Sequence, residues 1–326
     1  MAEIESILIT GASGFLGAWL SEAAREQGFE LIGVDLVKPR SPKLYGAFAE
    51  GPCAGVDFAA LVGARKLRTV FHLAGSASVP QSVENPVDDF ASLLPGTATL
   101  AAYLMRCQRE THLVLFSSAA VYGDPVRLPI PETGRVAPIS PYGIHKAAAE
   151  NLIGHYARVS GFRASFLRIF SAYGEGLRRQ VVWDICRKAT AARKRGERFI
   201  SLHGTGLETR DFIHAADIVR AALLVAAHPP VAGSRIINVA TGIETSIRML
   251  AESVIRELAC PVEPAFSGVA RAGDPLHWRA DITALRELGF APSISLAEGI
   301  ARAVRWQKSL ADRPDFAEGA RPVAHS

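Results

Sequence analysis

The chain has 326 residues, of which 49% are hydrophobic and 21% charged, and its formal charge is +4. That length implies about two domains, and the composition supports a large buried core and excludes wholesale disorder. The 36 basic residues, only seven of them Lys, are spread along the chain, so a nucleic-acid partner is not expected.

Residues 4–9 and 30–34 read as strands, and so do 69–73, 112–117 and 163–169. After the first strand, Phe15, Leu16, Trp19, Leu20 and Ala23 recur at helical spacing. Two further long helices fit 86–109 and 141–160. Strands alternating with helices predict a doubly wound parallel sheet, an α/β fold of the Rossmann type. From about Ser171 the rhythm changes. A basic helix over 181–194 leads to short strands over 199–202 and 210–213, a helix over 217–227 and a strand over 235–239. The stretch from 246 to about 310 mixes helices and a strand, with Pro292 separating two helices. We expect a dinucleotide-binding domain from 1–170 plus about 214–242. A smaller C-terminal α/β substrate-binding domain is expected from about 171–213 plus 243–312, with a loose tail over 313–326.

The cysteines, Cys53, Cys107, Cys186 and Cys260, lie far apart, without zinc-type spacing or a disulfide ladder. No metal is expected, and reduced thiols are the simplest reading. The N-terminus carries no basic region ahead of its apolar strand. No apolar run reaches the roughly 18 residues of a membrane helix. A cytoplasmic location without a membrane partner follows as an expectation.

In Gly11-Ala12-Ser13-Gly14-Phe15-Leu16-Gly17, three glycines fall where the first strand becomes the first helix. Exposed N–H groups and the positive helix end attract a pyrophosphate there, and glycine allows the tight turn and the close approach. Asp35 ends the second strand, placed to accept hydrogen bonds from an adenosine ribose and to repel a 2′-phosphate. NAD is therefore expected rather than NADP, although Lys38 and Arg40 lie nearby.

Tyr142 and Lys146 stand four residues apart, on one face of a helix. Such a pair is a common coincidence. Its interest is that a lysine ammonium one turn away favours the phenolate of a tyrosine that is otherwise a poor base at neutral pH. Ser118 falls at the end of a strand, where a doubly wound sheet lines its ligand crevice. His72 and His145 read as packing and backbone-contact residues.

Further motifs follow in one order: His72-Leu73-Ala74-Gly75, Phe116-Ser117-Ser118-Ala119-Ala120-Val121-Tyr122-Gly123, Tyr142/Lys146 and Leu167-Arg168-Ile169-Phe170-Ser171-Ala172-Tyr173-Gly174. Thr209-Arg210-Asp211-Phe212-Ile213-His214 and Arg271-Ala272-Gly273-Asp274 complete the set. With the glycine turn, it resembles the extended short-chain dehydrogenase/reductases of the NAD-dependent epimerase/dehydratase family, most of all UDP-glucose 4-epimerase-like members, over about 4–310. The resemblance implies that Tyr142 and Ser118 handle the proton of a sugar 4-hydroxyl, and that Lys146 also holds the nicotinamide ribose. It places Asp57 and Phe58 at the adenine, and Leu73, Ala74 and Gly75 beside the cofactor. It assigns Arg210 and Arg271 to the nucleotide diphosphate, a role suited to a planar guanidinium. Ser171 falls at the substrate phosphate and His203 at the base. Trp278 matches a position whose bulk limits the sugar C2 substituent, with ordinary core packing as its competing reading. The resemblance also implies a homodimer formed through the two long helices.

Departures narrow the chemistry. Ala119-Ala120 replaces the Asp-Glu pair of the dehydratases, and two methyls cannot protonate a leaving hydroxyl or abstract a C5 proton. Ser171 and Leu93 stand where asparagines are usual, and Phe116 and Ile169 replace residues that line the cofactor. The expectation is a nucleoside-diphosphate-sugar 4-epimerase working through a transient 4-keto sugar with bound NAD. An NAD(P)H-dependent 4-ketoreductase or dehydrogenase is the alternative. A cofactor-sensing regulator is a third reading, which the retained Tyr142 and Lys146 disfavour.

Overall fold

The computed structural model describes residues 5–269 and 275–311. Strand β1 (Ser6–Thr10) is followed by α1 (Phe15–Glu26), β2 (Glu30–Asp35), β3 (Tyr45–Glu50), α2 (Phe58–Val62), β4 (Leu67–His72), α3 (Val79–Glu84) and α4 (Pro86–Cys107). Then come β5 (His112–Ser118), α5 (Pro141–Ser160), β6 (Arg163–Ile169), β7 (Ser171–Tyr173), α6 (Gln180–Arg195), β8 (Phe199–Leu202), β9 (Thr209–Arg210) and β10 (Phe212–His214). The described chain closes with α7 (Ala215–Ala227), β11 (Ser234–Val239), β12 (Thr245–Ser246), α8 (Ile247–Leu258), β13 (Glu263–Phe266), α9 (Thr283–Glu287) and α10 (Leu296–Ala311).

Seven strands in the order β11-β6-β5-β4-β1-β2-β3 make one sheet, parallel throughout. The doubly wound sheet expected from the sequence is present, with β11 rejoining it beside β6. Every residue of β1 is buried, as in a strand covered on both faces. Alternate side chains feed two cores. Ile7 and Ile9 pack with Leu20 of α1 and Val219 of α7, whereas Leu8 packs with Leu100 of α4 and Ile153 of α5. A third core joins α6, α8 and α10 through Ile185, Val254 and Ile300.

Two departures from the expected elements have physical causes. The edge strand β3 was not expected, because Gly46 and three half-apolar positions give no clean alternation. It is held by tertiary contacts, with the Tyr45 hydroxyl donating to Ser21 Oγ at 2.6 Å and the Phe48 ring filling the space where Gly33 lacks a Cβ. The strand expected over 210–213 is two short strands, β9 and β10, parted at Asp211. That buried carboxylate accepts from the Thr241 and Gly242 nitrogens at 2.8 and 2.9 Å and from Ala280 N at 3.2 Å.

One seam joins the glycine-turn helix to the segment after β7. Trp19 Nε1 donates to the Glu175 carbonyl at 2.9 Å, and His214 Nε2 lies 2.8 Å from Glu175 Oε2. His214 Nδ1 accepts from Ala216 N, so Nε2 carries the proton and donates to Glu175. Among the described residues, no helix is long and apolar enough to cross a membrane, and no group of three His, Cys, Asp or Glu is placed to hold a metal ion.

Candidate active site

The sheet order reverses beside β1 and β4, where crossovers leave in opposite directions and open a crevice at the carboxyl ends of the strands. Gly11, Asp35, Leu73, Ser118 and Ser171 all stand at or just past such ends.

Gly11 has φ 71°. Its N–H and that of Ala12 both donate to Val34 O, at 2.8 and 3.2 Å, pinning the turn to β2. A Cβ on Gly11 would stand 2.8 Å from Ala74 N, because residues 73–75 cross directly against it. A Cβ on Gly17 would overlap the Gly11 carbonyl. Gly14 is the N-cap of α1 and offers the first-turn N–H groups of Phe15 and Leu16 no side chain. A Cβ there would meet only Gly11 O, at 3.1 Å, leaving its outer face open. Ser13 N donates to Asp35 Oδ2 at 2.9 Å and the Ser13 hydroxyl to Val37 O at 2.7 Å. Asp35 is thus fixed beside the turn, with lone pairs remaining for ribose hydroxyls. An uncapped helix end, an open glycine face and a fixed carboxylate fit a dinucleotide without a 2′-phosphate.

Asp57 caps α2, accepting from Ala60 N at 3.0 Å. The Phe58 ring is buried and stacked on Tyr103 at 5.7 Å between centroids, so it supports the core rather than offering a face to an adenine. Gly75 has φ 125°, and a Cβ there would press on the Leu93 side chain.

His72 contacts side chains rather than the backbone partners expected for it. Thr97 donates to Leu93 O, so His72 Nε2–H donates to Thr97 Oγ1 at 2.9 Å. Nδ1 therefore accepts from the Thr10 hydroxyl at 2.6 Å, and that oxygen accepts in turn from Ala74 N. Burial, and the charge of Lys146, pull this imidazole down to about 3. It is a neutral strut that fixes the 73–75 segment.

The local sequence sets the catalytic candidates. Ser140 caps α5, accepting from Gly143 N at 3.2 Å, Pro141 occupies the first turn, and Gly161 ends the helix at φ 90°. Tyr142 and Lys146 therefore share one face over a single turn. Ser118 ends β5 and accepts from Ala120 N at 3.1 Å. Ser118 stands close enough to the Tyr142 phenol to favour its ionised form. Lys146 is buried, donates to Phe116 O at 2.9 Å, and lies 5.8 Å from the Tyr142 ring centroid. Burial raises the Tyr142 phenol, Asp89 adds to the rise, and Ser118 and Arg179 oppose it. Burial also pulls Lys146 down, to about 8, against the fields of Asp89 and Glu150. The structure thus brings Ser118, Tyr142 and Lys146 into one cluster.

Three residues near this cluster were not singled out from the sequence. Arg179, at the start of α6, acts on Tyr142 through its charge. Asp89 of α4 accepts from His145 Nδ1 at 2.6 Å. Glu150, one turn beyond Lys146, is clasped by Arg168 at 3.1 and 2.7 Å and accepts from Ser117 at 2.5 Å. The spacing of Glu150 from Lys146 could have pointed to it; the other two meet the site only through the fold.

Ser171 opens β7 past the end of β6, its N–H donating to Asp211 O at 3.0 Å. The Arg210 guanidinium lies 5.4 Å from the Trp278 ring centroid. Trp278 is only 8% exposed, packs against Phe170, and donates from Nε1 to Gly123 O at 3.1 Å. It shares a cluster with Ala120 and Tyr142, which brings Arg210 to the Tyr142 side of the crevice. His203 stands exposed just past β8. Arg271 lies outside the described residues.

Comparison with known proteins accords with this geometry. The family model described as the NAD dependent epimerase/dehydratase family matches residues 7–240. A UDP-glucose 4-epimerase of Mycolicibacterium smegmatis is 33% identical, covering 92% of this chain and 97% of that protein. A putative UDP-glucose 4-epimerase of Methanocaldococcus jannaschii is 29% identical over 93% of this chain and 98% of its own length. Among solved structures, MoeE5 in complex with UDP-glucose and NAD superposes with a TM-score of 0.82 at 29% identity, covering 93% of this chain and 99% of that one. The UDP-glucose 4-epimerase of Thermotoga maritima with UDP-glucose gives 0.81 at 28% identity, with 93% and 99% covered.

Proposed function

The chain belongs to the NAD-dependent epimerase/dehydratase family, and from that premise we propose that it inverts C4 of a nucleoside-diphosphate sugar, in the manner of a UDP-glucose 4-epimerase. NAD is its cofactor; the glycine turn from Gly11 to Gly17 and Asp35 would hold it, and it would supply hydride acceptance and return at the sugar carbon, so that C4 could pass through a ketone. The observation that carries the reading is the Ser118–Tyr142–Lys146 cluster at the strand ends, beside a glycine turn whose Asp35 suits an unphosphorylated ribose. Tyr142 takes the 4-hydroxyl proton and gives it back. Ser118 holds the sugar oxygen as it changes between hydroxyl and ketone. Lys146 keeps a positive charge by the phenol and reaches the nicotinamide ribose. Arg210 and Arg271 grip the diphosphate, with Ser171 beside it, and His203 meets the base. Trp278 backs the sugar site and favours a simple hexose. Asp57 and the Phe58 backbone border the adenine. The sheet-built part, 1–170 with about 214–242, carries NAD, and the remainder to about 312 carries the sugar nucleotide.

The protein acts as a cytoplasmic homodimer in this reading. Val87 and Phe90 of α4 and Ile144 of α5 remain exposed at 75%, 46% and 52%, an apolar face suited to a second copy. The purified protein should interconvert UDP-glucose and UDP-galactose, or their N-acetyl forms, in an NMR assay without added NAD(H). No interconversion, with steady loss of absorbance at 340 nm on a 4-keto sugar nucleotide, would instead establish a ketoreductase.

A further inference from the structure

Lys146 is a buried ammonium with one hydrogen-bond acceptor among the described residues, Phe116 O at 2.9 Å. A charge so placed needs a counter-charge to remain ionised. Two carboxylates act on it, Asp89 from α4 and Glu150 from its own helix. Glu150 is already engaged by both arms of Arg168, which leaves that pair close to neutral as seen from Lys146. Among the described residues, Asp89 has no arginine or lysine ion-pair partner. It is 4% exposed, its Oδ2 takes the His145 Nδ1 bond at 2.6 Å, and its Oδ1 is buried without a hydrogen-bond partner among the described residues. His145 directly precedes Lys146 and packs edge-on against Phe90, one residue past Asp89. The other charged or titratable groups facing Lys146 are Tyr142 on α5 and the neutral His72 on β4; Arg179 acts on Tyr142.

We infer that Asp89, held in place by His145, is the positioning residue that keeps Lys146 charged and sets the pH range of the Tyr142–Lys146 pair. A negative charge at Asp89 favours the protonated form of both groups, and the fields on Lys146 and Tyr142 have that sign. Proton transfer at the sugar needs Tyr142 able to lose its proton while Lys146 keeps its own. Removing the Asp89 charge moves both limbs of the activity profile to lower pH together. A residue serving only to pack the helices changes the height of such a profile and leaves its position alone.

The pH-profile part rests on the epimerase reading; the Lys146 part does not. Full-length protein carrying 15N-labelled lysine is titrated by NMR, with the Lys146 Nζ signal assigned by its loss in Lys146→Met. In Asp89→Asn the Lys146 midpoint is expected to fall by about one pH unit or more. An unchanged midpoint in a folded Asp89→Asn protein overturns the inference. His145→Leu strips the buried carboxylate of the N–H donor that holds it in place. It shifts the midpoint in the same direction and serves where Asp89→Asn does not fold; an unchanged midpoint there overturns the inference equally. With a sugar nucleotide, the optimum of Asp89→Asn should move acidward by a similar amount, and an optimum that stays in place counts against the inference. A fallen midpoint in a protein that interconverts no sugar nucleotide sustains the counter-charge and removes the epimerase reading alone.

Discussion

Burial raises the Tyr142 phenol, and Arg179 and Ser118 work against that rise. Such a group becomes a useful base only where nearby positive charge and hydrogen bonds favour its phenolate. Tyr142→Phe keeps the ring and deletes the proton carrier. Its interconversion rate should fall by about 10²–10⁴-fold while the NAD content, read by mass spectrometry, stays at the wild-type level. A variant that keeps its rate would displace Tyr142 from the proposed role. The grouping of Ser118, Tyr142 and Lys146 was legible in the sequence because a strand end and helix spacing are local signals. Asp89, His145 and Arg179 were not legible as a group. They come from three segments, and only the packing of α4 on α5 and the turn into α6 bring their charges to one place. Phe58 shows the reverse case, a position beside the cofactor by resemblance whose ring the fold has turned into the core.

At the scale of elements, the glycine turn depends on distances that only the assembled sheet imposes. Gly17 packs so closely on the Gly11 carbonyl that a methyl group has nowhere to go. Gly17→Ala should push α1 off the turn, destabilise the protein by about 1–3 kcal/mol, and lower the NAD retained on purification. Calorimetry and nucleotide content check the two effects separately. The long, strongly patterned elements were readable: α5 runs from Pro141 to Ser160 as its cap and glycine dictate, and β6 from Arg163 to Ile169. The edge strand β3 was not, because its hold on the sheet comes from the Tyr45 and Phe48 contacts rather than from its own alternation. The break between β9 and β10 was likewise hidden, since one buried carboxylate serves loops that are distant in sequence.

For the whole molecule, two buried neutral histidines make stability depend on pH. Burial, with the Lys146 charge, holds His72 at about 3. Burial holds His112 at about 4, where its ring also meets Ser165 Oγ at 2.9 Å. Below an ordinary histidine value of about 6.5, the unfolded chain takes up protons that the fold refuses. Stability is therefore complete above that pH and declines as pH falls towards 4 and then 3, at up to about 1.4 kcal/mol per pH unit for each ring. Unfolding temperatures measured between pH 7.5 and 5 should drop accordingly. The drop should be shallower in His112→Gln, and an equal slope in that variant would place the proton uptake elsewhere. The seam of Trp19, Glu175 and His214 bears on the same unfolding curve. It ties the helix that opens at the glycine turn to the segment leading into the third core. A ligand seated at the turn is thereby thermodynamically linked to packing that it never touches. NAD should raise the melting of the sheet and of the α6–α8–α10 cluster as one cooperative step, so Trp183 of α6 and Trp306 of α10, whose rings pack together at 5.7 Å, would serve as remote reporters of cofactor occupancy.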